Sequence, residues 1–337
     1  MLTEDLSLDS SMNIAFLCPG QGSHSVGMLS KFSDPASGDP AAAALIEQTF
    51  REASAILGWD VLALVREGPA EELNRTERTQ PALLSASVAL WRVWSLYKGQ
   101  RPSIIAGHSL GEYSALVMAG SLDFADALRL VEIRGRLMQS AVPEGTGGMA
   151  AILGLEDAAV EALCAEYSGS GTLEPINYNA PGQIVVAGTT EALDWLQAHG
   201  KEKGAKKIVR LSVSVPSHCS LMKEASRQLA VELERVPLRI PSIPVLHNLD
   251  ARARQTLKGI REALIEQLHR PVRWTQTIRA IEAQGIGAYV ECGPGKVLGT
   301  MNKRILGDNS SASSLATEDP QALQTALQTI IGSVLPA

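Results

Sequence analysis

Short apolar runs alternate along most of this chain with longer stretches in which apolar residues return every three or four positions. The short runs at residues 13–18, 103–106, 243–246 and 288–292 read as buried strands. The longer stretches predict helices over residues 45–57, over 81–97, where Leu84, Val88 and Trp91 share a face, and over 124–140, with Asp123 as N-cap. Alternation of this kind favours a mainly parallel sheet covered by helices. After Pro143-Glu144-Gly145-Thr146-Gly147-Gly148 the order changes. A strand ending at Leu153 leads to a helix over 157–167, strands over 175–179 and 183–187, a helix over 190–200 and a strand over 207–212. That β-α-β-β-α-β order predicts a small ferredoxin-like unit inserted in a larger α/β domain, with a cleft between them. The large domain resumes with helices over 221–234, 257–267 and 274–284, a short helix into Arg304, a Ser-rich loop over 308–316 and a closing helix over 320–331. The expected units are therefore a flexible leader (1–11), a large domain (12–144 and 214–337) and a small one (145–213).

The composition bounds the function. At 337 residues, 45% apolar and 20% charged, the chain has the makeup of an ordinary globular protein. A net charge of −6 without a basic tract speaks against a nucleic-acid partner, and no apolar run is long enough to span a bilayer. Cys18, Cys164, Cys219 and Cys292 show no C-x-x-C pair or zinc spacing, and Cys18 and Cys292 end apolar strands. Small buried thiols in a reducing cytoplasm are the expectation, with no metal.

The chemistry centres on Gly107-His108-Ser109-Leu110-Gly111, between a predicted strand and a helix over 113–118. A G-x-S-x-G at such a turn is a nucleophile elbow, which lifts the serine Oγ clear of the sheet at a helix N-terminus. Ser109 needs a base. His199 lies in a charged surface stretch, His247 and His269 stand beside polar residues in expected loops, and His24 sits in a Gly- and Ser-rich turn where it could line a pocket. His108 adjoins the serine, where neighbouring side chains diverge. His218 ends the run Val213-Ser214-Val215-Pro216-Ser217-His218 at a strand-to-helix transition, the side of an open sheet on which ligands gather, and is the candidate base. Arg134 falls on the otherwise apolar row Ala127, Val131, Arg134, Met138. A guanidinium there is costly unless answered, whether by a protein carboxylate, by snorkelling to water, or by a substrate carboxylate it clamps. Gly20-Gln21-Gly22 lacks the third glycine of a dinucleotide loop, and Gly293-Pro294-Gly295-Lys296 lacks the spacing of a phosphate loop.

Gly107-His108-Ser109-Leu110-Gly111-Glu112-Tyr113 and Pro19-Gly20-Gln21-Gly22-Ser23 resemble the malonyl-CoA:acyl-carrier-protein transacylases of bacterial fatty-acid synthesis. Gln80-Pro81-Ala82, Val131-Glu132-Ile133-Arg134-Gly135, Asn177-Tyr178-Asn179-Ala180-Pro181-Gly182-Gln183, Val215-Pro216-Ser217-His218 and Gly293-Pro294-Gly295-Lys296 follow in the same order. His24 stands where a glutamine is common. The resemblance implies a hydrolase-like core carrying the insertion, Ser109 as nucleophile, His218 as base and Arg134 on the malonyl carboxylate. It also implies an oxyanion hole from the backbone N–H groups of Gln21 and Leu110, a carbonyl of Gln267 orienting the histidine, and His108 and Asn179 lining the pocket. The implied partners are malonyl-CoA and acyl carrier protein, with no cofactor, acting as a cytoplasmic monomer. Two other readings stay open. One is a thioesterase or lipase taking its acid from Asp123, Asp126, Asp157 or Asp194; the other is a non-catalytic carrier-binding subunit. The densest basic clusters, Lys201, Lys203, Lys206, Lys207 and Arg210, and then Lys296, Lys303 and Arg304, are candidate docking surfaces for an acidic carrier.

Overall fold

The strand runs dictate two sheets in the computed structural model, which describes residues 12–36, 38–211 and 215–332. Ten strands occur among these residues: β1 (Ile14–Cys18), β2 (Ile104–Gly107), β3 (Gly147–Leu153), β4 (Leu173–Ala180), β5 (Gln183–Thr189), β6 (Lys207–Arg210), β7 (Val245–His247), β8 (Arg252–Ala253), β9 (Ala288–Glu291) and β10 (Ser313–Ala316). The larger sheet runs β10-β9-β1-β2-β7-β8. All its pairings are parallel except β7 with β8. Its two middle strands, β1 and β2, carry no polar side chain because both faces are covered. Ile14, Phe16, Ile105 and Val290 enter one core, while Ala15, Leu17, Ile104 and Tyr289 enter the other. The expected α/β architecture with a mainly parallel sheet is therefore present.

The smaller sheet runs β4-β5-β3-β6 and is antiparallel throughout. Along β3 burial alternates with the period of a half-covered strand. Ala150 and Ile152 pack under the helices Asp157–Ala165 and Thr190–His199, and Met149 and Ala151 face the other way. The helices thus cover one face and leave the other to a cleft. Backbone hydrogen bonds from Tyr178 N–H to the Val272 carbonyl (3.0 Å) and from Val272 N–H to the Ile176 carbonyl (2.8 Å) tie β4 to the large sheet's surroundings.

Several boundaries differ from the sequence reading, each for a local reason. The first helix, Pro40–Leu57, starts five residues earlier than expected. Its opening turn is alanine-rich and shows no apolar period, but Asp39 caps Ala41 and Ala42 and Pro40 presets the first turn. The helix Thr76–Leu96 carries Pro81 inside rather than at its start, because Thr76, Thr79 and Gln80 are themselves buried. Asp123 stands at an N-cap position, yet its carboxylate pairs with Arg239 instead of the helix N–H groups. Residues 313–316 form an edge strand rather than the expected loop. Half-burial of two serines leaves such a strand without an apolar signature. Two short helices, Val61–Glu67 and Ala70–Leu73, lie in a stretch whose pattern predicts no element. The expected leader and the end of the small unit at 213 lie outside the described residues.

All four cysteines are free and buried, and burial raises each thiol pKa. No helix among the described residues is long and apolar enough to cross a membrane.

Glycine is obligatory where the elbow meets β1: a Cβ on Gly111 would lie 2.0 Å from the Cys18 carbonyl oxygen. Gly111→Ala should destabilise the protein by about 2 kcal/mol or more through overpacking. Urea unfolding reads this directly, and an unchanged midpoint would contradict the close approach.

Candidate active site

β2 ends at Gly107 and the helix Gly111–Met118 begins four residues later, so the chain must reverse within the elbow. Ser109 pays for this with a left-handed backbone (φ 52°), a conformation most non-glycine residues avoid. Gly20 lets the facing loop close in: a Cβ there would lie 2.5 Å from the His108 carbonyl oxygen. Asn248 holds the turn from beneath, accepting the Ser109 N–H (2.7 Å) and donating to the Gly107 carbonyl (2.6 Å).

His218 lies on a buried turn leading to the helix Lys223–Arg235, also with positive φ (58°). Its Nε2 is 2.7 Å from Ser109 Oγ, and its Nδ1 is 2.7 Å from the main-chain carbonyl oxygen of Gln267. That carbonyl can only accept, which places the proton on Nδ1 and leaves Nε2 free to take one from the serine. Asp123 pairs with Arg239, Asp126 with Arg129 and Asp194 with Arg210, Asp157 opens the helix Asp157–Ala165, and among the described residues no acid contacts Nδ1. Burial, reinforced by the positive charge of Arg134, lowers the histidine pKa from 6.5 to about 3.

Arg134 is fully buried on the helix Phe124–Gln139 and points at the serine. One terminal nitrogen donates to Gln80 Oε1 (2.8 Å); the other donates to Gln267 Oε1 (3.0 Å) and lies 3.4 Å from Ser109 Oγ. Tyr113 covers the guanidinium, whose carbon lies 5.4 Å from the ring centre. Neither alternative reading of the residue fits. It does not reach water, and its hydrogen-bond partners are amide and hydroxyl oxygens rather than carboxylates.

A cavity of about 490 Å³ opens above these groups. Gln21, His24, His108, Ser109 and His218 line it on one side, and Met149, Ala151, Asn179 and Val185 on the other. Its walls therefore draw on the loops after β1 and β2 and on strands β3, β4 and β5 of the smaller sheet. Asn179 bridges the two sides, with Oδ1 2.8 Å from His108 Nε2, which leaves His108 turned away from the serine proton. His24 contacts Asn74 at 2.9 Å. His199 stacks on Trp195, and His269 contacts Ser226. His247 corrects the loop assignment: it ends β7 and is buried against Glu112 (2.6 Å). Leu110 follows the serine at the start of the elbow helix and is fully buried. The sequence reading gave no role to Gln80, Glu112 or Asn248. Gln80 and Glu112 stood within recognised motifs as polar residues beside apolar ones, whereas nothing local marks Asn248.

Residues 15–329 match the acyl transferase domain family. The chain is 52% identical over 313 residues to the malonyl CoA-acyl carrier protein transacylase of Salmonella typhimurium, covering 93% of this chain and 98% of that one. It resembles the solved structure of the Coxiella burnetii malonyl CoA-acyl carrier protein transacylase at 42% identity and a TM-score of 0.90, covering 95% and 98% of the two chains. A malonyl-transacylase solved in complex with its type II PKS acyl-carrier protein is 49% identical with a TM-score of 0.89, covering 94% and 99%.

Because the lowered pKa keeps His218 neutral as the medium is acidified, acylation of Ser109 by a neutral p-nitrophenyl ester should stay level from about pH 8 down to about pH 5. The loss should come only as pH approaches the lowered value of about 3. A half-maximal rate near 6.5 would show that burial and Arg134 do not act on the base.

Proposed function

The chain belongs to the acyl transferase domain family and is an acyltransferase, and from that footing we propose that it moves malonyl from malonyl-CoA to the phosphopantetheine thiol of acyl carrier protein through a malonyl ester on Ser109. The observation that carries this reading is Arg134: a buried cation, 3.4 Å from Ser109 Oγ, with no carboxylate among its hydrogen-bond partners in the described residues. An acyl group ending in a carboxylate supplies the missing anion where the acyl carbon must sit.

In the first half-reaction His218 Nε2 takes the Oγ proton as Oγ attacks the thioester carbonyl. The N–H groups of Gln21 and Leu110 receive the oxyanion. Ser109 N–H is taken by Asn248, which suits a hole built from its neighbour instead. The intermediate collapses with loss of the CoA thiol, protonated by His218. The carrier thiol then attacks the ester, His218 accepting its proton and returning one to Ser109 Oγ. Gln267 holds the imidazole through its carbonyl, and His108 and Asn179 form the pocket wall. A thioester is exchanged for a thioester, so the chemistry calls for no metal or redox cofactor. The malonyl carrier produced is the extender for fatty-acid elongation. A neutral-ester hydrolase of this shape has no use for a buried guanidinium. Its triad acid is also replaced here by a carbonyl.

We assign the small unit, residues 145–213, to the ferredoxin-like arrangement within a hydrolase-like domain. Its β4-β5-β3-β6 order and shared helix core support this. For the carrier we favour the patch on this unit. Lys203 and Arg210 are paired with Glu166 and Asp194, while Lys206 and Lys207 are exposed.

Malonyl-CoA should leave a malonyl adduct on the intact protein by mass spectrometry, absent from Ser109→Ala. Arg134→Ala should raise acetyl use relative to malonyl by about tenfold or more. No adduct on the unaltered protein, or one surviving in Ser109→Ala, defeats the proposal, and an unmoved acyl preference removes the role of Arg134. Replacing Lys206 and Lys207 together by Glu should slow transfer to the carrier but not to free pantetheine; equal slowing, or none, rejects that patch.

A further inference from the structure

Glu112 lies in the first turn of the elbow helix, fully buried, and the mechanism above gives it no task. Its neighbours are donors. The Asn248 main-chain N–H (2.9 Å) and the Gln267 side-chain amide (3.0 Å) both point at Oε2. His247 Nδ1, carrying its proton in the tautomer this contact requires, donates to Oε1 at 2.6 Å. A carboxylate accepts all three.

Gln267 links this carboxylate to the reacting centre. Its Nε2 donates to Glu112 Oε2 and to the Ser109 carbonyl (2.9 Å), which leaves Oε1 facing Arg134 at 3.0 Å. Reversal would set Oε1 against two acceptors and turn an NH2 group toward the guanidinium, donor against donor. The amide orientation is therefore set by charge on both sides, with an anion behind it and a cation in front. Among the described residues no carboxylate hydrogen-bonds the buried guanidinium, and Glu112 answers it across one amide.

We propose that Glu112 is a positioning residue for acyl selectivity: through the Gln267 side chain it aims the Arg134 guanidinium at Ser109. This rests on the reading of Arg134 as the seat of the acyl carboxylate. Glu112→Gln leaves one oxygen for three donors. Shifting the His247 proton is no remedy, because Nε2 of that ring is buried without a partner among the described residues. The amide is then free to invert and release the guanidinium.

The test compares malonyl-CoA with acetyl-CoA in acylation kinetics of the full chain. Glu112→Gln should lower the malonyl-to-acetyl ratio of kcat/KM about tenfold, mainly through a higher KM for malonyl-CoA. Gln267→Met keeps the main-chain carbonyl on His218 but removes the amide, and should lower the ratio similarly. The double variant should be no worse than Gln267→Met alone. A wild-type ratio in Glu112→Gln, equal losses for both acyl groups, or additive losses in the double variant would each overturn the proposal. Should Glu112→Gln not fold, a wild-type ratio in Gln267→Met overturns it alone. Arg134→Ala run beside them separates the two layers: an unmoved ratio there sinks the underlying reading. If instead Arg134→Ala loses preference while Glu112→Gln and Gln267→Met keep it, only the positioning role fails.

Discussion

A guanidinium stripped of water and answered only by amide and hydroxyl oxygens sets the terms for the rest of this site. Burying a cation without an ion-pair partner costs several kcal/mol, and neutral acceptors such as those of Gln80 and Gln267 return part of it. A contacting carboxylate would have been the cheaper arrangement. It would also have quenched the positive potential at Ser109, which the proposed function reserves for an incoming anion. The same potential acts on His218, where it joins burial in disfavouring the imidazolium. In the proposed reading, the charge assigned to an acidic acyl group is thus also the one that keeps the imidazole unprotonated.

The second constraint is mechanical. Ser109 and His218 both adopt left-handed backbones, and neither is glycine. Such conformations persist only where the surroundings over-determine them. Asn248 clamps one side of the elbow, the Gln267 amide meets the Ser109 carbonyl, and the Leu268 carbonyl receives His218 N–H at 3.2 Å. These partners come from separate stretches of the chain, so the geometry is a product of the finished fold. Closure of the Gly20 loop over the elbow completes the cradle without a side chain in the way.

Local pattern carried much of this into the sequence. Fully buried strands such as β1 were legible because both faces are apolar, and the antiparallel sheet was legible as an interruption in the strand–helix rhythm. Arg134 was visible because a cation on an apolar helix row has few cheap explanations. The edge strand Ser313–Ala316 was hidden because half-buried serines look like a loop. The network of Glu112, His247, Asn248 and Gln267 was hidden for a different reason: Glu112 lies more than a hundred residues before its three partners, and no short window brings them together.

The thiols complete the picture. A catalyst that handles thioesters is exposed to a side reaction in which one of its own sulfurs captures the activated cargo and keeps it. Here each cysteine is shut inside the protein and held as the unreactive SH form by burial. Under the proposed function the oxygen of Ser109 is then left as the landing point for the cargo, and fidelity would come as much from silencing the sulfurs as from activating that alcohol.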